Sequence, residues 1–305
     1  MLTLAVSMYG SIIKGSPDGS RLEGTGPTTP SLDIHLSHPG TIMPTIAEVT
    51  AWLDRLAPPE LAEEWDNVGL LVGDADSDAA RVMTCLTITP ASADEAIRRN
   101  ADLIITHHPL PFRPVRRLTT ASPEGALLLR LIAAGVAIYS AHTAFDSAMA
   151  GINQRLAEGL GLTDIRPLVP LGEAPAGLGS GRFGQKAAST TLAELVEQSK
   201  AFLQIAQVQV VGDINQPIQS VAVACGSGGE FLAAARTQGC DCLVTGEARF
   251  HTCLEAETAG LSLLLPGHFA SERFAVERLA EHLAENFPAL QIWPSRDEAD
   301  PVTSF

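Results

Sequence analysis

Two stretches of the chain read alike at a fixed separation, and this repetition restricts the fold more than any single motif does. Val82, followed by Asp102-Leu103-Ile104-Ile105-Thr106, matches Val221, followed by Asp241-Cys242-Leu243-Val244-Thr245, at a constant offset of 139 residues. Self-similarity at one spacing marks a duplicated unit. Further on, Ala141-His142-Thr143-Ala144-Phe145-Asp146 faces Gly267-His268-Phe269-Ala270-Ser271-Glu272 at an offset of 126. Each copy then ends an apolar strand with a histidine followed four residues later by a carboxylate.

The pattern around these stretches alternates short apolar runs with helical periods. Residues 81–89 read as a strand, 92–100 as a helix capped by Ser92 and Glu95, and 102–106 as a buried strand. A helix at 124–134 and a strand at 136–140 follow. Strands separated by helices of this length imply βαβ units and a largely parallel sheet. The expected class is α/β, with two related lobes built from duplicated strand-helix-strand units. A length of 305 residues suits two domains at roughly 150 residues each. The expected divisions are a disordered or mis-assigned extension at 1–42, a first lobe at 43–170, a Gly/Pro-rich linker at 171–185 and a second lobe at 186–305. Just after Met43, Thr45 and Glu48 have the spacing of a capping box, and Ile46, Val49, Trp52, Leu53 and Leu56 form a helical apolar stripe.

Composition excludes several classes. Acidic side chains outnumber basic ones 35 to 20, leaving a formal charge of −15, which repels a phosphate backbone and argues against direct nucleic-acid binding. The five cysteines form no CxxC pair and are odd in number, so reduced thiols in a cytoplasmic chain are expected. No apolar run approaches the ~20 residues of a membrane span.

Histidines and carboxylates carry the chemistry. Thr106-His107-His108-Pro109 stands where an apolar strand stops. Adjacent side chains on an extended backbone point to opposite sides, so the pair can serve two different metal ions. His268 and Glu272 share a helix face if a helix begins near Phe269. With Asp146 the set is three imidazoles and two carboxylates, suited to Zn, Mn, Fe, Co or Ni. Glu272 is the longer-reaching candidate for a bridge between two ions. His142 reads either as a donor behind the metal ligands that shuttles protons, or as a structural hydrogen-bonding residue. His251 either faces the same cavity or caps its own helix. Asp66 and Asn67 read as a turn, Trp65 as core, and Cys240 and Cys242 as buried filler. Gly226-Ser227-Gly228-Gly229 is either a phosphate cradle at a helix start or a tightly packed turn. His282 reads as a helix surface residue.

Trp65-Asp66-Asn67-Val68-Gly69-Leu70, Thr106-His107-His108-Pro109, His142 to Asp146, Gly179-Ser180-Gly181-Arg182-Phe183-Gly184, Thr245-Gly246-Glu247 with His251, and Gly267 to Glu272 occur in this order. Together, over about Met43 to Trp293, they resemble the motif series of the GTP cyclohydrolase 1 type 2 homologue family, also described as NGG-interacting-factor-three-like proteins. The text departs from that series at Ala144-Phe145 and at Phe269-Ala270-Ser271, beside proposed ligands. The resemblance implies a two-lobed α/β fold, a cytoplasmic homohexamer and a dinuclear centre of two divalent transition metal ions between the lobes. It places His107 and Asp146 on one ion, His108 and His268 on the other or shared, and Glu272 on both. It implies a metal-dependent hydrolase of a nucleotide-like small molecule, in the named case opening the imidazole ring of GTP with loss of formate. A metal-dependent phosphoesterase and a non-catalytic hexameric scaffold or regulatory protein are the alternatives.

Overall fold

The computed structural model describes residues 43–172 and 177–303, so the expected extension at 1–42 lies outside the described residues. Among the described residues, eleven strands form two sheets. The first contains β1 (Gly69–Val72), β2 (Arg81–Cys85), β3 (Leu103–Thr106), β4 (Ala137–Ser140) and β11 (Gln291–Pro294), in the order β1-β4-β3-β2-β11. The second contains β5 (Leu162–Pro170), β6 (Gly179–Thr191), β7 (Gln209–Val211), β8 (Pro217–Ala224), β9 (Cys242–Thr245) and β10 (Ser262–Leu265), in the order β5-β6-β8-β9-β10-β7.

The duplication holds in both topology and detail. β1-β4-β3-β2 and β7-β10-β9-β8 are the same four-strand arrangement, with an antiparallel edge strand on three parallel ones. Val82 pairs with Leu103 and Val221 with Cys242, a register preserved at the offset seen in the sequence. Asp102 Oδ2 accepts from Ala80 N (2.9 Å) and Arg81 N (2.7 Å), and Asp241 Oδ2 accepts from Gln219 N and Ser220 N (both 2.8 Å). Asp102 thus closes the start of β2, and Asp241 binds the equivalent residues within β8. Asn100 and Gly239, at equivalent positions, both turn through positive φ (53° and 70°), which only glycine and small polar residues adopt readily.

Helices lie on both faces of both sheets, as buried parallel strands require. In the first copy these are α1 (Ile46–Leu56), α2 (Pro90–Arg98), α3 (Pro123–Ala133) and α4 (His142–Ser147); α5 (Ile152–Gly159) follows. In the second they are α6 (Leu192–Leu203), α7 (Leu232–Thr237), α8 (Phe250–Ala259) and α9 (His268–Asn286). α1 and α6 each begin with a complete capping box, Thr45/Glu48 and Thr191/Glu194. Along β3, Leu103 and Ile105 join the core with Val49, Leu53, Leu279 and Leu283, while Ile104 joins the opposite one with Ala93 and Leu131.

The sheets do not divide at the expected lobe boundaries. β5 belongs to the second sheet although it precedes residue 171, and β11 returns from the C-terminal end to the first. Residues 179–185, expected as linker, form the start of β6, whose glycines let its backbone lie against β5 and β8. α9 packs at the seam, with Phe274 touching the inner cores of both sheets. No helix among the described residues is long and apolar enough to cross a membrane.

The cap of α2 also differs from expectation. Thr89 and Ser92 form the capping box, and Glu95 is instead a buried latch for the C-terminal segment. Its carboxylate accepts from Trp293 Nε1 (3.2 Å), Ser295 Oγ (2.7 Å), Arg296 N (2.8 Å) and Asp297 N (3.1 Å), and Arg99 pairs with it at 3.1 Å. Burial opposes its ionisation, but these donors outweigh burial and hold its pKa below the usual range. A carboxyl depressed in the native state stabilises above its unfolded pKa of ~4.3 and loses that contribution as pH falls through the native value. Glu95→Gln is therefore expected to cost ~2–3 kcal/mol in urea denaturation at pH 7, with the gap to wild type closing below about pH 4. An unchanged gap at low pH would count against the charged latch.

Candidate metal centre

The site forms where β3, α4 and α9 meet. β3 ends at Thr106, but backbone bonds from His107 N to Cys85 O (3.1 Å) and His108 N to Leu86 O (2.8 Å) carry the pairing two residues further. Both imidazoles are thereby fixed at the strand end. Asp146 and Glu272 are each the fifth residue of their helices, α4 and α9.

Glu272 is buried between the imidazoles. Its Oε1 lies 3.8 Å from His107 Nε2, and its Oε2 lies 3.2 Å from both His108 Nε2 and His268 Nε2. Asp146 Oδ1 is 3.7 Å from His107 Nε2 on the other side. His108 Nε2 and His268 Nε2 face each other at 3.4 Å. Their outer nitrogens are engaged: His268 Nδ1–H donates to Glu247 Oε1 (3.1 Å), and His108 Nδ1 hydrogen-bonds Thr87 Oγ1 (2.7 Å). A His268 ring that donates through Nδ1 turns a lone pair on Nε2 toward Glu272 unless it carries a second proton.

The electrostatics show what is missing from such a cluster. Glu272 and Glu247 raise the His268 pKa to about 9, so a proton neutralises part of the carboxylate charge. Burial drives His107 well below its ordinary value. Burial and the Glu272 charge lift Asp146 to about 7. Burial also opposes ionisation of Glu272, but His108 and His268 outweigh it and hold that carboxyl well below the usual range. Both nitrogens of His107 and Glu272 Oε2 are buried without a hydrogen-bond partner. Imidazoles and carboxylates crowded together out of water, with both nitrogens of His107 unpartnered among the described residues, fit a cation in place of the shared proton, and His108, His268 and Glu272 converge closely enough to hold a metal ion. His107, His108 and His142 form a second such group.

His142 thus stands closer to the cluster than the sequence reading placed it. Its backbone has φ of +26°, unusual for a side-chain-bearing residue, and Asp66 holds it there. His142 Nδ1–H donates to Asp66 Oδ1 (2.7 Å), and Asp66 Oδ2 accepts from Thr143 N (3.1 Å) and Thr143 Oγ1 (2.5 Å). Burial opposes the Asp66 charge, but these hydrogen bonds outweigh it and bring its pKa down to about 2. His142 Nε2 is left facing a cavity of about 490 Å³ that also borders His108, Asp146, His268 and Glu272.

Cys225 and Asn153 carried no functional signal in the sequence, and Arg182 entered only as part of a motif. Cys225 donates its thiol to Asp146 Oδ1 (3.2 Å), and Asn153 links Cys225 N (2.8 Å) to Asp146 O (3.2 Å). Arg182, 1% exposed, has no carboxylate partner among the described residues; it donates to the carbonyls of Gly179, Gly181, Ser147 and Ala148 and so ties β6 to the end of α4. One expectation is corrected and two open alternatives are narrowed. Trp65 is 61% exposed and lines the cavity rather than the core, because the Asp66 anchor holds its loop at the surface. His251 sits on the exposed face of α8, away from the cavity lining, because α8 turns its buried Ala256 inward. The Gly226-Ser227-Gly228-Gly229 turn packs tightly, since Gly226 N is already bonded to Ser271 Oγ (2.9 Å) and Gly228 N to Thr245 Oγ1 (2.9 Å).

The Duf34/NIF3 (NGG1p interacting factor 3) family profile matches residues 44–301. The chain belongs to this family. A Streptomyces coelicolor protein named GTP cyclohydrolase 1 type 2 homolog is 36% identical over 270 residues, 86% of this chain and 95% of that protein. One of the same name from Clostridium acetobutylicum is 34% identical over 220 residues, 72% and 82% of the respective chains. Among solved structures, Staphylococcus aureus protein SA1388 superposes with a TM-score of 0.77 at 27% identity, covering 86% of this chain and 99% of that one. Reduced HcgD from Methanocaldococcus jannaschii does so at 0.72 and 28%, covering 82% and 97%.

The tightest approach to the cluster is made by backbone. A Cβ on Gly226 would sit 2.3 Å from Glu272 Oε1, and its φ of +60° disfavours any side chain. Gly226→Ala is expected to push Glu272 out of line and weaken zinc binding at least ~10-fold with circular dichroism unchanged. Equal zinc affinity by competition with a chromophoric chelator would show that Glu272 needs no such fit.

Proposed function

We propose that the chain is a metal-dependent hydrolase with a dinuclear centre, acting on a small nucleotide-like substrate. The observation that carries this reading is Glu272, whose two oxygens are shared between His107 on one side and the facing pair His108 and His268 on the other. His107 and Asp146 would hold one ion and His108 and His268 the second, with Glu272 touching both; the donors suit Zn, Mn, Fe, Co or Ni. When bound, such ions lower the pKa of water towards neutrality and polarise a substrate oxygen.

The chain's own residues supply proton handling and alignment. With Nδ1–H committed to Asp66, His142 offers Nε2 as a base toward the cavity. Cys225 and Asn153 hold Asp146 at its helix, and Thr87 and Glu247 set the rings of His108 and His268. A donor set too small to close two coordination shells favours catalysis over a closed structural site, and the open cavity beside it gives a substrate access. The names of the curated relatives support a nucleotide substrate. The homohexamer and cytoplasmic setting implied by the resemblance belong to the same proposal.

Protein isolated without chelators is expected to contain about two equivalents of transition metal per chain by elemental analysis. His108→Ala or Glu272→Ala should lower this content without unfolding; one ion or none in wild type would sink the dinuclear reading. A panel of nucleotides, GTP included, and phosphoesters is expected to yield metal-dependent turnover. Asp146→Ala should abolish it, and His142→Ala should lower kcat ~10²–10⁴-fold. No turnover across the panel would leave the scaffold reading in its place.

A further inference from the structure

The cavity beside the histidines has an aromatic wall that the donor cluster does not use. Trp65 and Phe112, 61% and 43% exposed, both line it. Their ring centroids are 5.9 Å apart at 41°, and both stand edge-on to His142, at 5.9 and 6.0 Å. Leaving two large apolar rings in water is unfavourable, so something must hold them there. The Asp66 anchor fixes the Trp65 loop, Asn67 Nδ2 donates to Pro111 O (2.7 Å) to tie that loop to the Phe112 segment, and Phe112 N donates to Glu124 Oε1 (3.2 Å). The rings are therefore presented on a built frame.

Charge supplies an independent observation. Beyond the metal-ligand candidates, the residues lining this cavity include Glu63 and Glu230, and among the described residues none of the lining is lysine or arginine. Arg113, Arg116 and Arg117 follow Phe112 in sequence but are exposed and do not line the cavity. Polyphosphate recognition ordinarily draws on charge-assisted hydrogen bonds from such cations. A flat ring needs only faces to stack on.

We propose that this cavity binds a flat, weakly charged heteroaromatic compound, of the nucleobase or nucleoside class, stacked on Trp65 and Phe112, and that it disfavours a polyphosphate chain. This deepens the proposed function and rests on that reading only for the chemistry that follows binding. Stacking itself needs no metal, so the two can fail separately.

The test is calorimetric titration of the full-length protein, freed of metal with chelator, with guanosine, adenosine, ribose 5-phosphate and GTP. Both nucleosides are expected to bind, ribose 5-phosphate not to bind, and GTP to bind more weakly than guanosine. Trp65→Ala should weaken nucleoside binding roughly tenfold, while Trp65→Phe retains most of it. Because Trp65 is exposed, circular dichroism of the variants should match wild type. Absence of nucleoside binding, or equal affinity in Trp65→Ala and in a Trp65→Ala/Phe112→Ala double variant, would overturn the platform. Tighter binding of GTP than guanosine, lost when Arg113, Arg116 and Arg117 are replaced by serine, would overturn the selection against polyphosphate. Ring binding without metal content or turnover would leave the platform standing and remove the hydrolase; metal and turnover without ring binding would do the reverse.

Discussion

A buried carboxylate flanked by imidazole nitrogens on both sides is stable only if something positive lies between them. Glu272 is 3% exposed, and its Oε2 has no hydrogen-bond donor although two ring nitrogens stand 3.2 Å away. Desolvating such a charge costs several kcal/mol unless it is paired. The second carboxylate of the cluster aggravates the problem: burial first, and then the Glu272 charge, lift Asp146 to about 7. Extra protons on imidazole offset part of the cost; divalent cations would offset more. Because α9 carries Glu272 at its start and packs along the first sheet with Leu279 and Leu283, the same requirement binds the two sheets together.

The duplication explains how such a cluster is framed without being symmetric. Bracing elements recur in both copies: Asp102 and Asp241 at the strand starts, and Thr106 and Thr245, whose hydroxyls donate to Leu86 O and Gly226 O at 3.1 and 3.3 Å. Chemistry-bearing positions recur only in part: His142 and Asp146 match His268 and Glu272, but the strand-end pair does not. Where the first copy has His107-His108, the second has Gly246-Glu247, and Glu247 orients His268 instead of joining the cluster. Gly246 has no room for a side chain, since its Cβ would meet Gly226 O at 2.6 Å. One copy thus supplies adjacent donors on a strand end, and the other supplies the backbone clearance and the long helix that bring Glu272 to them.

What was legible in the sequence follows from this division. Strand register, the start of α1 and the nearness of His107, His108, Asp146, His268 and Glu272 were readable because each depends on residues near one another or on a repeated spacing. The capping role went to Thr89 rather than Glu95 because a buried partner some 200 residues away, Ser295, competes for that carboxylate. Lobe boundaries misled because β5 and β11 pair with strands remote in sequence, and hydrophobic pattern carries no information about which sheet a strand joins. Asp66 and His142 meet across 76 positions, and no periodicity links them. Trp65 read as core because large aromatic residues usually are; only the hydrogen bonds that hold its loop open show otherwise.

The acidic character of the chain acquires a local meaning once the site is assembled. Glu247 and Glu272 crowd His268, while Glu63 and Glu230 line the adjoining wall, so the cavity draws cations and repels anions. Affinity for a substrate must then come from groups insensitive to that field. An aromatic face is one, and on the proposed function a cation held by the carboxylates would be the other. The two act on different parts of a molecule, a ring and an oxygen atom, with His142 between them: its ring meets Trp65 and Phe112 on one side and His107 and His108 on the other. A ligand held at both ends would therefore cross the one imidazole whose tautomer Asp66 fixes, and proton transfer becomes a matter of where the substrate is anchored rather than how strongly.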